Sequence, residues 1–207
     1  HRLIIMPCNG TQMLLWNKKT DAYEMKYEVN MKQQLAKDYG DSAYQKIIHT
    51  LLELQIQFLI ENPGFCHMTG HFISYRESML NWAMVGREAG TFEREKFVDL
   101  DESRNIRKKL RDQLKSRLVK EGIDNLDLNL GGSTSIDIHP LGWDKTHALR
   151  HCKDMTAWFV GDKCMPGGND HSLYTALKSS GRSFSTKNPK ETIQIILEKI
   201  KPGIQRS

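Results

Sequence analysis

Two carboxylates, Asp162 and Asp170, bracket a turn rich in glycine and proline, "GDKCMPGGND", directly behind the apolar run Ala157–Gly161. A loop that only reversed direction could be shorter and less acidic. Oxygen ligands on a tight loop suit a hard cation such as Mg²⁺. The same loop would also serve as a capped turn before a helix, with Asp170 as the N-cap. About fifteen residues earlier, "GWDK" places Lys145 where an ammonium could neutralise a phosphate or a phosphorylated carboxylate; alone it reads as a surface lysine. "STSIDIH" alternates Ser135, Asp137 and His139 with Ile136 and Ile138. Alternation of period two puts the polar residues on one face of a strand. "CHMTGH" offers Cys66, His67 and His71, but no second pair of ligands accompanies them, so a loop leading into a strand accounts for it.

These residues need elements to hold them. "AWFVG" is a continuous apolar run, the mark of a strand covered on both faces. Open α/β sheets bind ligands at the carboxyl ends of such strands, and Asp162 stands there. "SLYTALKSS" reads as a short helix, "SFSTK" as a strand, and "NPKETIQIILEKI" as a helix opened by Pro189. At the other end "RLIIMP" and "TQMLLW" read as strands about the turn "CNG". Between them lies a long helix over "DSAYQKIIHTLLELQIQFLIEN", capped by Asp41 or Ser42, with Tyr44, Ile47, Ile48, Leu51, Leu52, Phe58 and Leu59 on one stripe. The strand pair "HFISYR" and "MLNWAM" follows. A basic helix then starts near Asp101–Ser103 and ends at Gly122, burying Ile106, Leu110, Leu114 and Leu118. The two ends are α/β; the middle is an α+β insertion with polar-faced strands. The pattern predicts a discontinuous core of residues 1–20 and 143–207 sharing one sheet, and a cap of residues 21–142, with ligands bound in the cleft between them.

The bulk composition fits a globular protein: of 207 residues, 39% are hydrophobic and 27% charged. No apolar run reaches the ~20 residues of a membrane span, so no membrane association is expected. The net charge of +5 lies largely on Arg104–Lys120. No aromatic residues interleave there, which argues against a nucleic-acid platform and leaves a solvated helix face. Four scattered cysteines without a C-x-x-C pair suggest reduced thiols and a cytoplasmic location.

Taken together the motifs are far more specific than their parts. "GG-x-x-S-x-D-x-x-P-x-GWDK" (131–145) and "GD-x-x-x-x-GGND" (161–170), with "YRESMLNWAMVGREAGTFERE" (75–95) and "MPCNGT" upstream, resemble the eukaryotic-type phosphomannomutases in family order. That family has a haloacid dehalogenase-like Rossmannoid core, mostly parallel sheet, with an inserted α+β cap. The resemblance implies an isomerase that interconverts mannose 6-phosphate and mannose 1-phosphate through an aspartyl-phosphate and a hexose 1,6-bisphosphate, for GDP-mannose synthesis. It implies that Arg76, Arg87 and Arg94 grip the substrate and its distal phosphate, that Ser135 and Asp137 bind the sugar phosphate, that Asp170, with Asp162, holds Mg²⁺, and that Lys145 sits beside the phosphorylated aspartate. It also implies a homodimer through the cap. Spacing agrees for the arginines: a hairpin can join Arg76 to Arg87, and Arg94 is one turn of chain further. Three unpaired guanidiniums repel unless an anion is expected among them.

One departure stands out. The family's nucleophile lies in an Asp-x-Asp-Gly-Thr segment, and no such segment occurs in these 207 residues. The expectation is that residues upstream of His1 carry it. A sugar-phosphate phosphatase of the same fold and a non-catalytic basic binding module are the alternatives.

Overall fold

The computed structural model describes residues 3–205. The chain opens with β1 (Ile4–Ile5), the 3₁₀ turn Cys8–Gly10, β2 (Gln12–Asn17) and β3 (Ala22–Glu28). These form one antiparallel three-stranded sheet in the order β1-β2-β3. Tyr23, Met25 and Tyr27 alternate with polar residues along β3, the period of a strand. The segment therefore pairs locally, through a short turn in which Asp21 adopts a left-handed φ of 51°.

The insertion supplies α1 (Met31–Tyr39), α2 (Ala43–Glu61), β4 (Ile73–Tyr75), β5 (Leu80–Ala83), α3 (Thr91–Arg104), α4 (Ile106–Lys120), β6 (Leu126–Gly131) and β7 (Ser135–Pro140). Its strands make an antiparallel sheet in the order β4-β5-β7-β6. Leu80, Trp82, Ile136 and Ile138 pack with Leu51, Leu54, Phe58, Leu110, Leu114 and Leu118 in one buried cluster. The other face of the sheet is polar. Asn30 caps α1, accepting a bond from the Gln33 N–H at 3.2 Å.

The C-terminal lobe contains the 3₁₀ turn Lys145–His151, β8 (Phe159–Gly161), α5 (His171–Lys178), β9 (Ser183–Ser185), α6 (Pro189–Ile195), a π turn over Ile196–Ile200, and α7 (Lys201–Gln205). Strands β8 and β9 pair in parallel, with α5 as the crossover. Asn188 caps α6 by accepting the Glu191 N–H at 3.0 Å, with Pro189 in the first turn, as the sequence indicated.

The structure corrects several expectations. Among the described residues, the stretches 1–20 and 143–207 do not share a sheet. Ile4 and Ile5 pair with Leu15 and Leu14, and that hairpin extends to β3, across the boundary drawn at residue 20. A hairpin between neighbouring runs closes a far shorter loop than a pairing across more than a hundred residues, and so costs less entropy. The two ends meet instead through side chains and turns. Tyr27 Oη lies 3.0 Å from His147 Nε2, His151 Nε2 lies 3.0 Å from the Gly10 carbonyl, and Asn9 Nδ2 donates to the Trp143 carbonyl at 3.2 Å. The buried face of α2 uses Leu54 and Gln55, whereas Leu52 is exposed, and Ser42 gives no side-chain cap. The basic segment is two helices, α3 and α4, broken at Asn105 in the left-handed conformation. Asp101 starts the second helix, accepting from the Arg107 N–H at 2.7 Å and from Arg107 Nε at 2.6 Å. The apolar stripe Ile106, Leu110, Leu114 and Leu118 is buried as read. No helix among the described residues is long and apolar enough to cross a membrane.

Candidate functional site

On the polar face of the cap sheet, the register puts Asn81 and Asn129 on either side of Asp137. Asn81 Nδ2 donates to Asp137 Oδ1 at 2.6 Å and to Ser135 Oγ at 2.9 Å; Ser135 Oγ donates to the Gly131 carbonyl at 2.8 Å. Ser135 is thus buried and consumed by the fold, while Asp137 is half-buried and looks into the cleft. A Cβ on residue 131 would lie 2.7 Å from Asp137 Oδ2, so a larger residue there would displace that carboxylate.

The three arginines differ in what holds them. Arg76 makes no side-chain hydrogen bond or ion pair among the described residues, and it lines the cavity between cap and core. Arg87 makes a single long bond, from Nη1 to Asn81 Oδ1 at 3.3 Å. Burial lowers its pKa, and the positive charges of Arg76 and Arg94 lower it further, against the pull of Asp137. A guanidinium remains charged regardless, so the crowding marks a place where an anion would be welcome. Arg94 is spoken for: Nε donates to the Ala89 carbonyl at 2.8 Å, Nη2 to the Arg87 carbonyl at 2.9 Å and Nη1 to Thr134 Oγ1 at 3.1 Å. It braces the backbone that carries Arg87.

Across the cleft, Asp144 accepts the Thr146 N–H at 2.7 Å and so starts the turn that presents Lys145. The Lys145 ammonium donates to Asp170 Oδ1. Asp170 Oδ2 accepts the N–H groups of Asp162 and Lys163, each at 2.9 Å, at the carboxyl end of β8. Burial raises the pKa of Asp170, but the bonds from Lys145 and the Lys163 N–H outweigh it, and the net direction is down. The carboxylate sits against Gly161, where a Cβ would lie 2.7 Å from Oδ2. Asp170 is therefore not the side-chain cap of α5.

Asp162 lies close to Asp170: its N–H donates to Asp170 Oδ2, and its side chain adds to the lowering of the Asp170 pKa. Asp162 is exposed and lines a separate surface depression with Asn188 and Ile193. Among the described residues no group of three His, Cys, Asp or Glu side chains could hold a metal ion. Both oxygens of Asp170 are engaged, one by Lys145 and one by the two N–H groups. Cys66, His67 and His71 likewise form no cluster; His71 pairs with Glu88 at 2.7 Å.

Arg76 and Asp137 from the cap and Lys145 and Asn169 from the core line one cavity of about 410 Å³. A smaller recess of about 130 Å³ continues from it, sharing Asn9, Asp137 and Asn169. Neither Arg87 nor Arg94 reaches the wall of either space; Arg87 stands behind Asn81. Asn9, Asn81 and Asn169 are site residues that motif spacing alone passes over. Asn9 could have been noticed as half of an Asn-Gly turn, and it holds a left-handed φ of 64°. Cys8 also faces the cavity, with its thiol pKa raised by burial despite the nearby Arg76 charge.

A family model described as eukaryotic phosphomannomutase matches residues 15–202. The chain belongs to that family. It is 33% identical over 164 residues to a probable phosphomannomutase of Caenorhabditis elegans, covering 77% of this chain and 60% of that protein. With the phosphomannomutase of Schizosaccharomyces pombe the identity is 35% over 157 residues, covering 74% and 57%. With that of Saccharomyces cerevisiae it is 37% over 132 residues, covering 62% and 50%. The chain thus spans about three fifths or less of the length of these relatives. Among solved structures, an IMP-bound IMP-nucleotidase of Plasmodium falciparum is similar in fold, with a TM-score of 0.52 at 15% identity, over 92% of this chain and 46% of that one. The fold is the haloacid dehalogenase-like α/β fold of the family, with its α+β cap.

Proposed function

We propose that the cleft binds a hexose phosphate and that the chain supplies the substrate-gripping part of a phosphomannomutase, an isomerase interconverting mannose 6-phosphate and mannose 1-phosphate. One observation carries this reading: the cavity is walled by an unpaired guanidinium and a carboxylate on one lobe and by an ammonium and an amide on the other. Arg76, with Arg87 behind it, suits a phosphate, to which a guanidinium offers charge and paired donors. Asp137 Oδ2 is free to accept a sugar hydroxyl. Lys145 would meet the phosphoryl group that is transferred, offsetting charge as it passes.

The covalent step belongs to an aspartate of the kind found in the family's Asp-x-Asp-Gly-Thr segment, which would take a phosphoryl group from a hexose 1,6-bisphosphate. Magnesium is proposed for Asp170 with Asp162 beside it; Asp170 would have to exchange its bond to Lys145 for the cation. A homodimer through the cap is supported by Leu52, Ile56 and Ile60, exposed at every fourth position of α2. A cytoplasmic location and a role in supplying mannose 1-phosphate for GDP-mannose follow from the same reading.

Isothermal titration of the chain with mannose 1-phosphate, beside mannose and inorganic phosphate, tests it. Saturable binding of mannose 1-phosphate, at least tenfold tighter than either component, is expected. Absence of saturable binding, or equal affinity for free mannose, would overturn the reading.

A further inference from the structure

Asn81 sits where two opposite charges nearly meet. It is 3% exposed, in the middle of β5, with Asp137 on one side and Arg87 on the other. Its amide nitrogen donates both protons, to Asp137 Oδ1 at 2.6 Å and to Ser135 Oγ at 2.9 Å, and its oxygen accepts from Arg87 Nη1 at 3.3 Å. An amide is the side chain that can face both charges at once, since it carries a donor end and an acceptor end. Only one orientation works. Flipped, its oxygen would face a carboxylate and its NH₂ a guanidinium, and both contacts would be repulsive.

Among the described residues no ion pair forms between Arg87 and Asp137, although the Asp137 charge acts on the Arg87 guanidinium and both bond the same Asn81 amide. In a partly buried place such a pair would close readily, because low dielectric strengthens the attraction and desolvation of the arginine is already incurred. The Asn81 amide bridges them instead, bonding Asp137 through its nitrogen and Arg87 through its oxygen.

We infer that Asn81 is a positioning residue, a neutral wedge that keeps Arg87 and Asp137 from neutralising each other, so that the Arg87 charge acts on the cleft from behind its wall, beside Arg76, and Asp137 stays open to a sugar hydroxyl. The inference rests on the hexose-phosphate reading for its purpose, but the wedge itself is a statement about three side chains. Without it, Arg87 swings onto Asp137, the two opposite charges pair, and a ligand must first break that ion pair. Asn81→Asp would fail differently: the new carboxylate would hold Arg87 and repel Asp137.

The test uses three variants of the full chain, Asn81→Ala, Asp137→Ala and the double variant, and two measurements. First, ¹⁵N spectra of the arginine side chains report whether the Arg87 guanidinium is held. In Asn81→Ala its Nη signals should separate as rotation slows in a new ion pair, and should merge again in the double variant. Second, inorganic phosphate and mannose 1-phosphate are titrated. Asn81→Ala should lose at least tenfold in affinity for both with an unchanged melt, and the double variant should regain phosphate affinity to within about threefold of Asp137→Ala. Rescue by deleting a second side chain is something a merely structural asparagine would not give. Arg87 signals that stay merged in Asn81→Ala would overturn the wedge, whatever the titrations show. A held Arg87 in a protein that binds neither ligand would leave the wedge standing and sink the hexose-phosphate reading instead.

Discussion

The cap and the C-terminal lobe are held together by different means. Every member of the main buried cluster lies between Met31 and Ile138. Beyond Pro140 the buried hydrophobic side chains are Cys164, Leu173 and Leu177, while Met155, Met165, Ile193, Ile196, Leu197 and Ile204 are exposed. The cap is a sheet with one greasy face covered by helices. The other lobe is a two-stranded parallel pair whose ligand loop is fastened by polar bonds, those of Asp170 with Lys145 and with two backbone N–H groups. The difference is one of means: the cap presents charged groups to the cleft from a sheet packed on helices, and the C-terminal lobe presents them from a loop tied by one carboxylate.

The largest effect that would sharpen this contrast is in the cap core. Trp82→Ala should cost about 3–5 kcal/mol, since it empties a fully buried site and strands Gln55, whose Oε1 accepts from the indole at 2.8 Å. Leu177→Ala in the other lobe should fall at or below about 2 kcal/mol, at the low end for such truncations. Urea unfolding measures both, and equal costs would erase the contrast.

Asp170→Asn should come next, at about 1–3 kcal/mol, less than for a fully buried pair because Lys145 is 31% exposed. Hydrogen exchange should quicken at the Asp162 and Lys163 amides while the cap sheet stays protected. The pH dependence has a definite sign. The folded pKa of Asp170 lies below its ordinary value, so its contribution is whole above ~4 and is lost as the pH falls through the lower, folded value. In Asp170→Asn that acid limb should disappear.

Arg94→Ala should lose about 1–2 kcal/mol of stability as well as ligand affinity, because Arg94 bonds two carbonyls and Thr134. The smallest effect on folding belongs to Ile56→Glu on the exposed stripe of α2, within about 0.5 kcal/mol for the monomer. Sedimentation should nonetheless shift toward the monomer. An unchanged dimer would move the interface elsewhere.

What the sequence disclosed follows the same contrast. The buried stripe of α4, the alternation of β7 and the cap of α6 were legible because each depends on residues a few positions apart. The hairpin β2–β3 was missed although Tyr23, Met25 and Tyr27 alternate, because the lysines and acids between them read as loop. The break at Asn105 went unseen because helical propensity continues straight through it. At the site, the residue types around the cleft were readable, but their pairings were not. That Asp170 turns to Lys145, and that Arg94 serves the backbone while Arg76 makes no side-chain bond among the described residues, depends on tertiary approach; so does the close seating of Asp137 against Gly131 and of Asp170 against Gly161.

The cap's part in ligand binding is tested most directly by the affinity of Arg76→Ala for mannose 1-phosphate, measured by calorimetry beside a thermal melt. Removal of a charged hydrogen bond worth about 1.5–3 kcal/mol corresponds to a loss of roughly ten- to a hundredfold in affinity. That loss at an unchanged melting midpoint is the predicted result. Unchanged affinity, or a loss matched by collapse of the melt, would contradict the account.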